Sequence, residues 1–276
     1  MIMKNRGFAF WRSQRDAIDE MYNVKKMSSA DIARHYGVYD STIRTNMRKL
    51  GIPTRKIGGS ERPNALHDLD SSYFDQIDTA NKAYTLGFIA SDGHVSSRNA
   101  VMFAQSPMEL DVLDKIRAEL KSNHPIRKKS ESAYTFSFTS KHICDRLRDM
   151  GLNNRKSYGF DFAKLLSCVP EAYERDFIRG LFDGDGSIRI YKYDYFPKHT
   201  YHLGFTGIIE TCNYIQQKFD LHTKMANEGN GIFTVVSSCR SDIVRIGHFM
   251  YDNATMYMDR KKQTFDKVYA LAQSES

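Results

Sequence analysis

Two aspartates, Asp92 and Asp185, stand 93 positions apart in the same local setting. Each closes a largely apolar, glycine-containing stretch, YTLGFIASDGHV at 84–95 and FIRGLFDGDGSIRIYKY at 177–193, and each is followed by glycine. A helix that ends on a carboxylate sets that charge against the negative end of its own dipole, and a second such end nearby adds like-charge repulsion. Bound divalent cations remove both objections. Two hard oxygen ligands beside incoming phosphates suit Mg2+, which retains waters and needs few protein carboxylates, with Mn2+ an expected substitute.

The flanking residues say how two such carboxylates are brought together. Gly87 and Ser91 in the first stretch, and Gly180 and Gly184 in the second, lie four apart and so share one helical side. Missing or small side chains there permit close backbone approach. The two helices are expected to pack on each other through these positions, with Gly93 and Gly186 taking the left-handed conformation that stops a helix.

The remainder of the chain repeats around them. After Asp92 come HVSSRNAVMFAQS, the helical PMELDVLDKIRAEL, HPIRKK, the alternating AYTFSFTS and the helix HICDRLRDMG. After Asp185 the same order recurs, with a first hairpin about eight residues longer. The fold class is therefore α+β: tandem αββαββα repeats, at 79–168 and 169–276, forming a pseudo-twofold pair of sheets. Alternation puts Tyr134, Phe136 and Phe138 on one face and Thr135, Ser137 and Thr139 on the other; Ser187, Arg189, Tyr191 and Tyr193 likewise oppose Ile188 and Ile190. Helices covering the apolar faces leave polar, aromatic and basic faces outward, a groove suited to a nucleic-acid duplex. Arg127 and Lys128 from the first repeat, and Arg189, Tyr191, Lys192, Tyr193 and Lys224 from the second, are its candidate contacts.

The charge balance agrees with a polyanionic partner. Of 276 residues, 40 are Lys or Arg and 33 Asp or Glu, and residues 1–60 hold twelve of the former against five of the latter, enough to account for the net +7. In this segment Ala17, Ile18 and Met21 can pack one helix. Ser28 or Ser29 can cap a second with Ile32, Ala33 and Tyr36 on its apolar side, and Asp40 or Ser41 a third with Ile43, Met47 and Leu50. The turn at Gly37 and the polar face carrying Thr42, Arg44, Thr45, Arg48 and Lys49 form a helix-turn-helix pattern over 1–60. A turn-rich linker over 61–78 follows, and the basic Arg55 and Lys56 ahead of it are suited to tracking a phosphate backbone or entering a minor groove.

No apolar run approaches the roughly 20 residues of a bilayer span, and MIMKNRGFAF lacks the apolar stretch of a secretory signal, so no membrane partner is expected. Cys144, Cys168, Cys212 and Cys239 are widely spaced and expected to be reduced and mostly buried. An intracellular location is expected, in a bacterial or phage-infected cytoplasm in preference to an organelle.

TLGFIASDG at 85–93 and IRGLFDGDG at 178–186 resemble the two signature helices of single-chain, double-motif LAGLIDADG homing endonucleases. The helices ahead of them resemble the small DNA-binding modules often fused to freestanding members. This resemblance implies a site-specific, Mg2+-dependent enzyme that makes a staggered double-strand break with short 3′ overhangs. It makes Asp92 and Asp185 the essential metal ligands, whereas the earlier motif acid survives as Asp183 but is Ala90 in the first copy, implying a helix-end or supporting role. Basic residues near the scissile phosphates fall on Lys156 and Lys261, with Lys262 a rival, and Gln105 matches a polar position that organises active-site water, its counterpart being Gly207. Two unequal repeats in one chain imply a monomer, without an obligate protein partner, on a long asymmetric double-stranded DNA site. The alternative within the same fold is an intron RNA maturase or a nuclease-inactive DNA-binding regulator.

Overall fold

The computed structural model describes residues 6–54, 67–152, 160–195 and 198–274. The chain forms two compact units, 1–66 and 67–276. In the first, α1 (Phe8–Ser13) and α2 (Arg15–Asp19) run into a π-helical turn at Glu20–Val24, followed by α3 (Ser29–Tyr36) and α4 (Asp40–Lys49). Ser28 caps α3 reciprocally with Asp31, and Gly37 ends it at φ 65°, a left-handed conformation that glycine adopts without steric cost. Neither Asp40 nor Ser41 caps α4. Tyr39 occupies that position without a side-chain hydrogen bond, and Asp40, inside the first turn, pairs with Arg44 at 2.6 Å. Ile18, Ile32, Ala33, Tyr36, Ile43 and Met47 form the expected core, to which α1 adds the buried Trp11.

The second unit contains the two repeats. The first runs α5 (Ala80–Ser91), β1 (His94–Val95), β2 (Ala100–Gln105), α6 (Leu110–Glu119), β3 (Arg127–Ser130), β4 (Ala133–Thr139), α7 (Lys141–Asp149) and then α8 (Phe162–Ser167). The second runs α9 (Glu174–Asp185), β5 (Ser187–Tyr191), β6 (Thr200–Ile208), α10 (Ile209–Lys218), β7 (Ala226–Gly229), β8 (Ile232–Ser237), α11 (Arg240–Tyr251) and α12 (Asp259–Ser274). Each repeat builds one four-stranded antiparallel sheet, ordered β1-β2-β4-β3 and β5-β6-β8-β7. The pairs His94↔Met102 and Ser187↔Gly204 make the registers equivalent, and carrying them forward makes Gln105 equivalent to Gly207.

Alternation fixes which face is covered. Val101, Phe103, Phe136 and Phe138 are buried in a core with Val112 and Ile116 of α6 and Ile143 and Leu147 of α7. Leu203, Phe205 and Val235 occupy the matching places with Ile215 of α10 and Ile243 and Ile246 of α11. Helix α9 serves both cores: Phe177 and Leu181 point into the first, Ile178 and Phe182 into the second. Residues 67–78, expected as the end of a linker, instead bury Tyr73, Phe74 and Ile77 in the first core, because three large apolar side chains outweigh the turn-forming residues around them. Cys144 and Cys212 are buried, Cys168 half-buried and Cys239 exposed, and all four are unpaired. Among the described residues no helix is long and apolar enough to cross a membrane.

Helices α5 and α9 pack backbone to backbone. A Cβ placed on Gly87 would lie 2.2 Å from the Phe177 carbonyl oxygen, one on Gly180 2.1 Å from that of Tyr84, and one on Gly184 1.9 Å from the Ser91 hydroxyl. The two carbonyl contacts cannot be relieved by rotating a side chain. Gly180→Ala should therefore force the helices apart, lowering the unfolding midpoint by roughly 5 °C or more. Gly207→Ala, whose new Cβ meets only Thr211 at 3.4 Å, is the comparison that should stay near the parent in the same thermal melt.

Candidate active site

The close approach of α5 and α9 determines where the two carboxylates emerge. Asp185 is the last residue of α9 and Asp92 follows the last residue of α5, its amide still bonded to the Phe88 carbonyl at 2.9 Å. The ends touch: a Cβ on Gly184 would lie 3.2 Å from the Asp92 nitrogen. The glycines that follow do not use left-handed backbone. Neither has positive φ, and Gly186 is extended at φ −78°. They are required because the chain folds back over the last helical turn, where a Cβ on Gly93 would lie 2.8 Å from the Ile89 Cα and one on Gly186 2.5 Å from the Phe182 carbonyl oxygen.

Gln105 ends β2 on its covered face and is only 5% exposed. Its Nε2 donates to Asp92 Oδ2, holding that carboxylate in one orientation. The equivalent Gly207 carries no side chain. Asp92 is half-buried and Asp185 exposed, with interactions of its own. Among the described residues no group of three or more His, Cys, Asp or Glu side chains forms a metal cluster. The donor set is a pair of oxygen ligands at adjoining helix ends, which fits a hard cation that keeps most of its waters.

Lys261, in the first turn of α12, reaches this site from beneath. It is 2% exposed, and its Nζ donates to the carbonyls of Phe182 at 2.6 Å and of Asp183 and Gly186 at 2.7 Å, with Gly184 farther at 3.4 Å. A cation here satisfies the orphan carbonyls of α9 and opposes its negative dipole end. Sequence reasoning set Lys261 beside a phosphate; the structure instead commits its ammonium to the backbone that carries Asp185. Lys262 points elsewhere and pairs with Asp266 at 2.5 Å. Lys156, Arg55 and Lys56 lie outside the described residues.

Asp183 is fully buried and is likewise a tether. Its carboxylate accepts from the hydroxyls of Tyr84 at 2.8 Å and Tyr251 at 2.5 Å and from the Met258 amide at 2.8 Å, linking α5, α9, α11 and the approach to α12. Burial raises its pKa, against the opposing pull of Lys261 and the three donors. One turn earlier the fully buried Arg179 bonds the Met250 and Met256 carbonyls and Asp176 at 2.6, 2.8 and 2.7 Å. The first turn of α12 is fixed from the other repeat: Lys115 bonds Asp259 and the Tyr257 carbonyl, and Arg260 pairs with Glu109. Tyr84, Asp176, Arg179 and Tyr251 were not anticipated. An arginine inside the apolar run FIRGLF was the available signal, since a charge on a buried helix demands partners.

The outer sheet faces carry the remaining candidates. Arg127 stands opposite Thr135 on the exposed face of the first sheet. Lys128 departs from expectation: it pairs in register with Tyr134, on the other face, and its ammonium is bound to Glu131 at 2.6 Å. On the second sheet Arg189 is opposite His202, and with Ser187, Tyr191, Gly204 and Thr206 it lines a 560 Å3 concavity. Beyond it Tyr191 stacks on Tyr193 at 6.1 Å, and Tyr195, 84% exposed, lies tilted against Tyr193 at 5.4 Å. Lys192 and Lys224 are exposed. In the amino-terminal unit Arg44, Arg48 and Lys49 are exposed on α4 and Thr42 and Thr45 half-buried, with Arg44 held by Asp40 and Ser29.

The fold is also found in solved structures. The chain matches the LAGLIDADG meganuclease I-AabMI, solved bound to uncleaved DNA, at 13% identity with a TM-score of 0.51, over 70% of this chain and 91% of that one. The fold is that of the LAGLIDADG meganucleases. The LAGLIDADG homing endonuclease I-GzeII, in complex with its DNA target, matches at 11% identity and TM-score 0.50 over the same shares. I-SmaMI, bound to an uncleavable DNA, matches at 11% identity and 0.51 over 70% of this chain and 91% of its own. No protein-family model and no curated protein sequence matches the chain. Within this LAGLIDADG fold, the sequence departs from the solved structures at almost nine positions in ten, so the roles of individual residues rest on the geometry above.

Burial lowers the Lys261 ammonium to about 8 from its ordinary 10.5, Asp183 pulling the other way. Between those values the unfolded chain holds a proton that the folded chain has released, so Lys261 makes stability rise with pH across that window; below it both states are charged and the contribution is flat. Urea unfolding from pH 7 upward should show this slope, and Lys261→Met should remove it. A slope that survives the substitution belongs to another group.

Proposed function

We propose that this chain is a site-specific endonuclease that makes a staggered double-strand break in duplex DNA by Mg2+-dependent hydrolysis. The observation that carries this reading is the meeting of Asp92 and Asp185 at the touching ends of α5 and α9, between two sheets whose outer faces are polar. A buried pair of structural acids has no reason to emerge there, one half-buried and the other exposed. Asp92 and Asp185 would hold magnesium, which would supply stabilisation of the charge developing on the scissile phosphate. Gln105 fixes the Asp92 carboxylate, and Lys261 is a positioning residue that holds the turn carrying Asp185.

The water oxygen bonds to phosphorus as the bond to the 3′ oxygen breaks, leaving a 5′ phosphate and a 3′ hydroxyl. Arg127 on one sheet and Arg189, Tyr191, Lys192 and Tyr193 on the other are suited to the bases and backbone of two unequal half-sites, so one chain acts as a monomer on an asymmetric target. The amino-terminal unit is read as a helix-turn-helix module whose α4 contributes Thr42, Thr45 and Arg48 to base or phosphate contacts.

On a target selected from a randomised duplex library, Asp92→Asn and Asp185→Asn should each lower cleavage by at least about a hundredfold while most of the DNA affinity remains, because phosphate contacts elsewhere are intact. Full cleavage by either variant under metal-controlled conditions would remove the assignment. Folding of an intron transcript without DNA cleavage would favour the maturase. For the amino-terminal unit, the combined substitution Arg44→Gln, Arg48→Gln and Lys49→Gln should reduce the steepness of log K against log salt by roughly one to three. The cut positions should stay where they were, and an unchanged slope and footprint would show that α4 does not touch DNA.

A further inference from the structure

The strands of the two sheets carry a single carboxylate. Among their described residues the basic side chains are His94, Arg127, Lys128, Lys129, Arg189 and His202, and Glu228 of β7 is the lone acid. Alternation sets Glu228 outward. Ala226 pairs with Thr234 and Asn227 with Phe233, and Glu228 lines the concavity of the second sheet together with Thr206, Thr234 and Arg189. In the first sheet the register-equivalent residue is Lys129, since Lys128↔Tyr134 matches Asn227↔Phe233. The nearby acid of that sheet, Glu131, is neutralised by Lys128 at 2.6 Å, whereas Glu228 is exposed and no described residue pairs with its carboxylate.

A carboxylate exposed on this face repels the phosphates of any duplex laid on the sheet, and no cation of the protein offsets it. One contact turns that repulsion to use. In the major groove guanine and thymine present acceptors, adenine a donor beside an acceptor, and cytosine its N4 amino donor alone, so a carboxylate accepts from cytosine and is repelled elsewhere. Resting on the endonuclease reading above, we propose that Glu228 is a specificity-determining residue that accepts a hydrogen bond from the N4 amino group of a cytosine in the half of the target under the second sheet.

Strand register orders this contact against that of Arg189. Glu228 lies beside the row of Gly207, at the end of β6 whose counterpart Gln105 bonds Asp92, whereas Arg189 pairs with His202 toward the far end. The cytosine therefore lies nearer the cut, and the guanine suited to Arg189 lies farther out. The side chain can be changed without disturbing the fold, because it is exposed and the turn beside it is made by Gly229, Asn230 and Gly231, all at positive φ.

The test uses the full chain and a panel of duplexes that each differ from the selected target at one base pair. Binding is measured by competition in metal-free buffer and cleavage with Mg2+, and Arg127→Gln and Arg189→Gln mark the halves under the two sheets. At one pair in the second half the unmodified protein should prefer cytosine to the other bases by roughly tenfold. Glu228→Gln, whose amide fits adenine N6 and N7, should move that preference toward adenine, and Glu228→Ala should flatten it to within about twofold. The affected pair should lie between the cut and the pair altered by Arg189→Gln, with preferences elsewhere unchanged. Circular dichroism of each variant separates loss of folding from loss of discrimination. Variants that tighten binding to every sequence alike, with unchanged base preferences, show a carboxylate that only repels phosphate and overturn the proposal. An affected pair in the half marked by Arg127→Gln, or outside the pair read by Arg189, overturns it as well. Failure of the unmodified protein to select or cut any duplex overturns the endonuclease reading instead, so the two failures are distinguishable.

Discussion

The contact between the backbones of α5 and α9 is the constraint on which the rest of this molecule depends. Two helices whose facing positions are Gly87, Ser91, Gly180 and Gly184 approach until a single added carbon would overlap a carbonyl oxygen. That distance fixes how far apart Asp92 and Asp185 emerge. It also fixes the two sheets, because β1 and β5 begin two residues after those aspartates and inherit their positions from the helix ends. Site spacing and sheet placement are thus one property, set by the absence of side chains.

Such an interface gains little from apolar burial at its centre, and its alignment is secured by polar groups around it. Asp183 accepts three donors, from α5, α11 and the residue before α12, Arg179 satisfies two carbonyls and Asp176, and Lys261 satisfies the carbonyls at the end of α9. Buried charges of this kind are costly to desolvate and add directionality that hydrocarbon packing lacks. Removing one partner would leave another charge stranded under the site. The segment from Met256 to Arg260 completes the arrangement: Met256 and Met258 enter the first core, Lys115 and Glu109 hold Asp259 and Arg260, and Lys261 is thereby delivered beneath the second motif.

The pseudo-symmetry is a scaffold for unequal halves. Only the second motif carries the Asp183 tether, since its counterpart is Ala90, and only the first strand pair carries the amide at its end. The hairpin of β5 and β6 projects a cluster of tyrosine rings where the first repeat turns at once, Ser96 donating its amide to the Ala100 carbonyl at 2.8 Å. Two differently furnished helix ends and two different outer faces therefore arise from the same duplication.

Much of this was legible in the sequence. Gly and Ser spaced at four in two apolar helices dictate close packing, because no other residues leave that space, and the recurring order of periodicities dictates two αββαββα units. The Asp-Gly pairs marked the helix ends correctly, although the glycines serve steric clearance and not left-handed backbone. The register that makes Gln105 equivalent to Gly207 was also readable, since strand alternation and repeat order constrain it. Tertiary structure alone decided what the charged residues do. Lys261 and Lys262 are neighbours of identical chemistry, and only the docking of α12 on the first repeat sends one beneath the site and the other to Asp266. Lys128 and Arg127 are likewise adjacent, and the strand pairing puts them on opposite faces. Spacing along a chain determines which backbones can meet, because sterics and periodicity are local; which ammonium or carboxylate is buried against which partner depends on elements more than seventy residues away in sequence, such as Phe182 for Lys261.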